Sequence, residues 1–153
     1  MITRLGLVVL MFWLSLSSAI CKAETPRPIE LHAYLAMSSI LASSCPSGKK
    51  LKIVQYEIAV AQGKSNLPSF SYPCTEEKAK LRKYFEKLED LRKTADNPQL
   101  VGLLKDHYAL CLLMMDMDTS LDLDDYDYRV RKKKEDLMLL DTKIRLEAGI
   151  LLP

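Results

Sequence analysis

The sequence predicts an all-α protein, a small antiparallel bundle of about five helices that follows a cleaved signal peptide. Apolar residues recur at spacings of three and four in each long segment, which is the period of an amphipathic helix. Glycine is scarce, with 5 residues in 153, and the chain contains neither internal repeats nor low-complexity segments. Helices joined by short connections in one small domain favour an antiparallel bundle.

Residues 1–23 have the pattern of a secretory signal peptide. Arg4 supplies the positive start, and an apolar run of about a dozen residues follows, which is too short to span a membrane as a helix. The letters "CKA" indicate cleavage after Ala23, and "SSA" offers cleavage after Ala19 as the alternative. We therefore expect a periplasmic or secreted protein whose residues 24–153 form a single α-helical domain.

The charge balance excludes one class of partner. Removal of residues 1–23 takes away Arg4 and Lys22, which leaves 20 basic and 20 acidic residues and a net charge near zero. Nucleic-acid binders need an excess of Lys and Arg to meet phosphates, so we expect no nucleic-acid partner. A second long apolar run is absent from the sequence, so we expect no membrane insertion after cleavage.

The first two predicted helices are separated by "CPSG". The segment 28–44 places its apolar residues on one face, and Pro46 and Gly48 are expected to end that helix. The segment 49–64 has a second helical stripe, and its β-branched residues also suit a strand. We favour a helix because Gly63 can cap it. The two predicted buried faces are Leu31, Tyr34, Leu35, Ser38 and Leu41, and then Leu51, Val54, Ile58 and Ala61.

Three further helices complete the predicted bundle. The loop 65–73 precedes a helix over 75–96, with Thr75 as its cap. Asn97 and Pro98 start the next helix, which is apolar all round from Ala109 to Met115 and should therefore be the most buried. The last helix begins near Asp124 or Tyr126. The expected core residues of the third and fifth helices are Leu81, Tyr84, Phe85, Leu88, Leu91, Tyr126, Val130, Leu137, Leu140, Ile144 and Leu151.

The cysteines suggest one disulfide. Cys45 and Cys74 flank the second predicted helix, and the loop 65–73 is long enough to run back along that helix and bring them together. This pair would stabilise the fold by roughly 3 kcal/mol on the chain-entropy model. Cys111 is expected to be a buried free thiol. His107 lies one turn before it, and desolvation would leave that pair chemically inert.

The acidic stretch from Asp116 to Asp127 partly matches a calcium-binding loop. Leu121 stands where such loops need glycine, and Asp127 replaces the longer glutamate at the last position. We therefore favour an acidic junction between two helices over a metal site. The weak candidate ligands are Asp116, Asp118, Ser120, Asp122, Asp124 and Asp127.

The sequence carries no motif of a known enzyme class, such as a phosphate-binding loop, "HExxH" or "GxSxG". We expect no catalytic residue and no cofactor. The leading hypothesis is an exported helical protein that binds an unidentified protein partner, as an inhibitor, immunity-type or envelope accessory protein. Its predicted contact surfaces are the acidic stretch and the loop that carries Phe70 and Tyr72. The alternatives are a carrier of calcium or of a small apolar ligand, and an enzyme of unrecognised type.

Overall fold

The structure, a computed structural model, describes residues 28–94, 97–119 and 122–150. The predicted signal peptide and its two cleavage sites lie outside these residues, as do Ser120 and Leu151. All regular secondary structure in the described ranges is helical. Four long helices span Pro28–Ala61 (α1), Thr75–Glu86 (α2), Pro98–Asp116 (α4) and Leu123–Glu147 (α5), and a six-residue helix spans Glu89–Thr94 (α3).

The long helices form a bundle in which neighbours along the chain run in opposite directions. Tyr34 of α1 packs on Phe85 of α2 with ring centroids 5.7 Å apart, while Cys45 joins Cys74 at the other end of the same pair. At the far end of the bundle, Asn97 Nδ2 at the start of α4 donates to a Glu147 carboxylate oxygen at the end of α5, at 2.7 Å. The all-α bundle is confirmed.

The expected count of about five helices is wrong, because the first two predicted helices are one continuous helix, α1. Pro46 and Gly48 lie inside it, although they disfavour a helix by roughly 3 and 1 kcal/mol respectively. Tertiary contacts offset this cost. Cys45 is fixed by its disulfide, and Lys49 Nζ donates to the Met117 carbonyl oxygen at 2.7 Å. Local breaker residues are thus overridden by contacts that form only in the folded chain.

The core lies between the first part of α1 and the other helices. All five residues predicted for the first buried face are buried, and so are Leu81, Phe85 and Leu88. Tyr126, Leu137 and Ile144 of α5 are buried as predicted. The helix expected to be the most buried, α4, buries seven residues, including Leu104 and Cys111, but Ala109 and Leu113 of its apolar segment are exposed. The helix lies against α1 and α5 and leaves one face to solvent.

The second part of α1 extends beyond the bundle. Near the middle of α1, Lys49 and Lys50 donate hydrogen bonds to Met117, just after α4, and to Asp127 of α5. The following residues 51–61 continue for about 16 Å. The chain then turns at Gly63, which has a positive φ of 65°, and residues 64–73 return along the helix. We call residues 51–73 the arm.

The disulfide between Cys45 and Cys74 closes the arm at its base. Their Cα atoms are 5.7 Å apart, as the returning loop was expected to allow. Cys74 also starts α2 in the left-handed conformation, with φ 55°. It therefore occupies the capping position that the sequence analysis gave to Thr75, which is the first residue of the helix. Asn97 caps α4 as predicted, and its side-chain oxygen accepts from Leu100 N.

Candidate functional site

The two predicted contact surfaces meet in one cleft at the base of the arm. Loop residues 70–73 form one wall, and residues 115, 116, 118 and 119, at the end of α4 and just after it, form the other. The cleft has a volume of about 420 Å³, with Lys49 and Lys78 also in its lining. An aromatic loop and an acidic stretch that are over 40 residues apart in the sequence are thus neighbours.

The two aromatic residues of the loop have different environments. Tyr72 is half-buried, its ring lies against α1 at Gly48, and its hydroxyl donates to a Glu77 carboxylate oxygen at 2.8 Å. This hydrogen bond raises the pKa of Tyr72. Phe70 packs edge-on against Tyr56, with ring centroids 5.3 Å apart, and keeps 38% of its surface exposed. Phe70 is therefore the aromatic group that a partner can reach.

The acidic junction is only partly neutralised. Asp116 pairs with Lys78, Asp127 with Lys50, and Asp125 with Arg129. Asp118 and Asp124 are exposed and form no ion pair within the described residues. Lys49 is buried below the cleft, and this burial lowers its pKa. The cleft therefore presents an aromatic edge beside the exposed carboxylate of Asp118, which interacts electrostatically with Lys49 but forms no ion pair within the described residues.

The same acidic residues serve the helix junction. Asp122 caps α5, because its carboxylate accepts from the backbone N–H groups of Asp124 and Asp125 at 3.1 Å each. Asp116 and Asp127, the first and last candidate calcium ligands, pair with lysines of two different parts of the chain. Among the described residues no group of three or more His, Cys, Asp or Glu side chains is arranged to hold a metal ion, and Ser120 lies outside them.

The histidine and thiol of α4 lie in the core. Tyr34 hydroxyl and His107 Nδ1 are 3.0 Å apart, and Cys111 Sγ is 3.9 Å from the same nitrogen. Burial lowers the pKa of His107 to about 4 and raises the pKa of Cys111 to about 12. At neutral pH the imidazole is neutral and the thiol stays protonated, so this pair lacks the thiolate that nucleophilic chemistry needs.

A groove of about 420 Å³ lies between α1 and α5, above His107. The small side chains Ala36, Ser39 and Ser43 form its α1 wall, and the α5 wall includes the ion pair of Arg145 with Asp141, in which Nε is 2.8 Å from Oδ2. Leu35, Leu137 and Met138 also line the groove, so its lining is partly apolar and partly charged, and the charged part does not suit a wholly apolar ligand. Asp141 and Arg145 were not among the predicted site residues, although their spacing of four on a helix favours an ion pair.

One surface contradicts the sequence analysis more directly. Leu51 and Ile58 were expected in the core, but they are 57% and 51% exposed, and Ala61 is exposed as well. Ile53 and Ala59 are buried in their place. Five of the twelve large exposed apolar side chains among the described residues lie on the arm: Leu51, Ile58, Val60, Leu67 and Phe70.

Comparison with protein-family models, with curated proteins and with solved structures finds no match to this chain. The helices within residues 28–94, 97–119 and 122–150 include none with both the length and the apolarity to cross a membrane. The surfaces of the arm and of the acidic junction are therefore the features from which a function is inferred.

Proposed function

We propose that this chain is an exported, non-enzymatic protein that acts by binding another protein through the cleft at the base of its arm. The observation that carries this proposal is the meeting of Phe70 and Asp118 in one cleft. Partly exposed aromatic side chains beside polar groups are common anchors of protein interfaces. The exposed Asp118 favours a partner segment with a large apolar side chain next to Lys or Arg.

Export to the periplasm or the medium is part of the proposal. Its support is the signal-like pattern of residues 1–23 together with the Cys45–Cys74 disulfide. Disulfides persist in oxidising compartments and are rare in the cytosol. An inhibitor, immunity-type or envelope accessory protein meets its partner in such a compartment. The raised pKa of Cys111 and the lowered pKa of His107 support a binding role over cysteine-based catalysis.

The carrier hypothesis has less support. Excess calcium stabilises a protein only if the folded state binds the ion. Because Asp116 and Asp127 already pair with lysines, we expect the same Tm with excess calcium and with a chelator. A Tm higher by several degrees with calcium than with a chelator would favour a metal site over an acidic helix junction.

The binding proposal is tested by crosslinked capture from the envelope or secreted fraction of the protein's own source. Wild-type protein should capture one dominant partner. Phe70→Ala should reduce this capture by at least about ten-fold, the typical loss for an interface anchor. Tyr128→Ala is the matched control, because Tyr128 is an exposed aromatic residue on α5, away from the cleft.

A second pair of variants tests the charge. Asp118→Lys should weaken capture, whereas Lys143→Asp, also at an exposed position but on α5, should not. Equal capture by wild type, Phe70→Ala and Asp118→Lys would show that the cleft is not the binding surface. A dominant captured protein that is a substrate converted during incubation would overturn the non-enzymatic role.

A further inference from the structure

One face of α1, from Ser47 just before the arm to Ala61, has the spacing of a coiled-coil seam. Its residues follow one another at intervals of four, three, four and three, which is the alternation of positions a and d in a heptad. This set, which we call the stripe, consists of Ser47, Leu51, Val54, Ile58 and Ala61. It is uncharged, and the large side chains Leu51 and Ile58 are both more than half exposed.

The returning loop covers a different side of the same helix. Tyr72 lies against Gly48, and Phe70 packs on Tyr56. Successive residues of a helix are 100° apart around its axis, so Gly48 and Tyr56 lie about 80° apart. The two loop contacts therefore define one side of the helix, and the centre of the stripe lies on the opposite side. The aromatic contacts of the loop therefore lie away from the centre of the stripe, although Leu67 and Pro68 line one pocket with Ile58. Leu51 and Ile58 each keep more than half of their surface exposed.

The charged residues beside the stripe indicate which kind of partner can pack on it. Lys50 and Glu57 are seven residues apart, so they lie on the same side of the stripe, at position g of consecutive heptads. Glu57 is exposed and forms no ion pair with any described residue. Among the described residues Lys50 pairs with Asp127 alone, at the surface, where such pairs contribute little.

These two charges indicate how two copies of the helix would be oriented in a pair. In an antiparallel pair of identical helices related by a two-fold axis, each flank of the seam meets the same flank of the partner helix. Lys50 of one copy then lies near Glu57 of the other, twice in each dimer. A parallel pair would place position g against position e, where Gln55 offers no opposite charge. The pattern is self-complementary in the antiparallel arrangement.

We propose that a second copy of this chain packs on the stripe, so that two α1 helices associate antiparallel through Leu51, Val54 and Ile58, flanked by Lys50–Glu57 pairs. The interface is isologous and closed, which yields a dimer and not a filament. A seam of about two heptads buries little area, so the dimer should dissociate on dilution. The proposal is independent of the cleft, which lies on another face of the arm.

Sedimentation velocity over a range of protein concentrations tests the dimer. The protein is expressed from the full chain and purified as it accumulates. Wild type should approach twice the monomer mass as concentration rises. Leu51→Glu should weaken association at least ten-fold, because it places carboxylates in an apolar seam. Leu139→Glu is the matched control. Leu139 is 63% exposed on α5, so this substitution should leave association unchanged.

Charge reversal tests the orientation. Lys50→Glu and Glu57→Lys should each weaken the dimer several-fold, and the double variant should restore it because the pairs re-form with reversed sign. Circular dichroism and Tm of each variant verify that it remains folded. A wild type that stays monomeric at every concentration would overturn the proposal, and so would a dimer insensitive to Leu51→Glu. A dimer weakened by Leu51→Glu without restoration in the charge-reversed double variant would overturn the antiparallel register.

Discussion

The two parts of α1 are built from similar residues and have opposite surroundings. The first part, residues 28–45, buries Leu31, Tyr34 and Leu35 against three other helices. The second part, residues 51–61, exposes Leu51 and Ile58 and lies beside its own returning loop. Both parts of the helix have apolar residues at spacings of three and four. This period alone therefore does not show which of the two apolar faces is buried in the core. The reach of the neighbouring helices matters as well, since the hydrogen bonds of Lys49 and Lys50 join α1 to the region between α4 and α5 just before the arm begins.

Truncation of one leucine in each part gives the largest difference. Leu35→Ala should lower the free energy of unfolding by about 2–5 kcal/mol, because Leu35 is 1% exposed and its removal leaves a cavity. Leu51→Ala should change it by less than about 0.5 kcal/mol, since Leu51 is 57% exposed. Urea denaturation at a protein concentration too low for self-association measures both. Equal losses would mean that the arm helix packs into the bundle.

Removal of the disulfide should separate the arm from the bundle. Cys45→Ala/Cys74→Ala should cost about 3 kcal/mol, because it reopens a loop with a sequence separation of 29 residues in the unfolded chain. Limited trypsin digestion should then cut after Lys64, which is exposed in the returning loop, faster than in the oxidised wild type. Far-UV circular dichroism should still report the bundle helices. Unchanged cleavage would show that the loop is held by its side chains alone.

Acid should weaken the first part of α1 through His107. Burial lowers the pKa of His107 from 6.5 to about 4, so the folded state favours the neutral ring that bonds Tyr34. The unfolded chain takes up the proton first as pH falls, so acidification favours unfolding. This contribution is fully present above about pH 6.5 and is lost between about pH 6.5 and pH 4, for a total of up to about 3 kcal/mol.

The measurement for His107 is the free energy of unfolding at several pH values in that window. His107→Gln should be less stable at neutral pH and should lose the part of the pH dependence that His107 contributes. His32→Gln is the control, because His32 is exposed on the same bundle. If wild type and His107→Gln had the same slope between pH 6.5 and pH 4, the imidazole would not be buried in solution.

The sequence was sufficient for the helical class, the Cys45–Cys74 pair and the buried face of residues 28–41, because each follows from local spacing or from the reach of a short loop. It was insufficient at Pro46 and Gly48, where the disulfide and Lys49 keep a helix continuous through residues that usually end one. The cleft could not be predicted from the sequence either. Phe70 and Asp118 become neighbours only because the loop returns along α1, and loop paths leave little pattern in sequence.

Gly48 gives a smaller and more specific test of that loop path. A Cβ atom at Gly48 would lie 2.9 Å from Cε1 of the Tyr72 ring. Alanine ordinarily stabilises a helix interior relative to glycine by up to about 1 kcal/mol. At Gly48 the close contact with the Tyr72 ring should outweigh this gain. Gly48→Ala should therefore destabilise the protein by about 1–2 kcal/mol. Gly102→Ala is the matched control, because nothing lies within 4 Å of the added Cβ in α4.

The partner variant identifies the cause. In a Tyr72→Ala background the ring is gone, so Gly48→Ala should stabilise the protein by up to about 1 kcal/mol, as Gly102→Ala does in wild type. A change of sign between the two backgrounds would show that Tyr72 holds the loop against α1 at the base of the arm. If Gly48→Ala were stabilising in wild type as well, the loop would not lie on this face of α1. The arm helix would then lack this loop contact, and the contrast between the two parts of α1 would become larger.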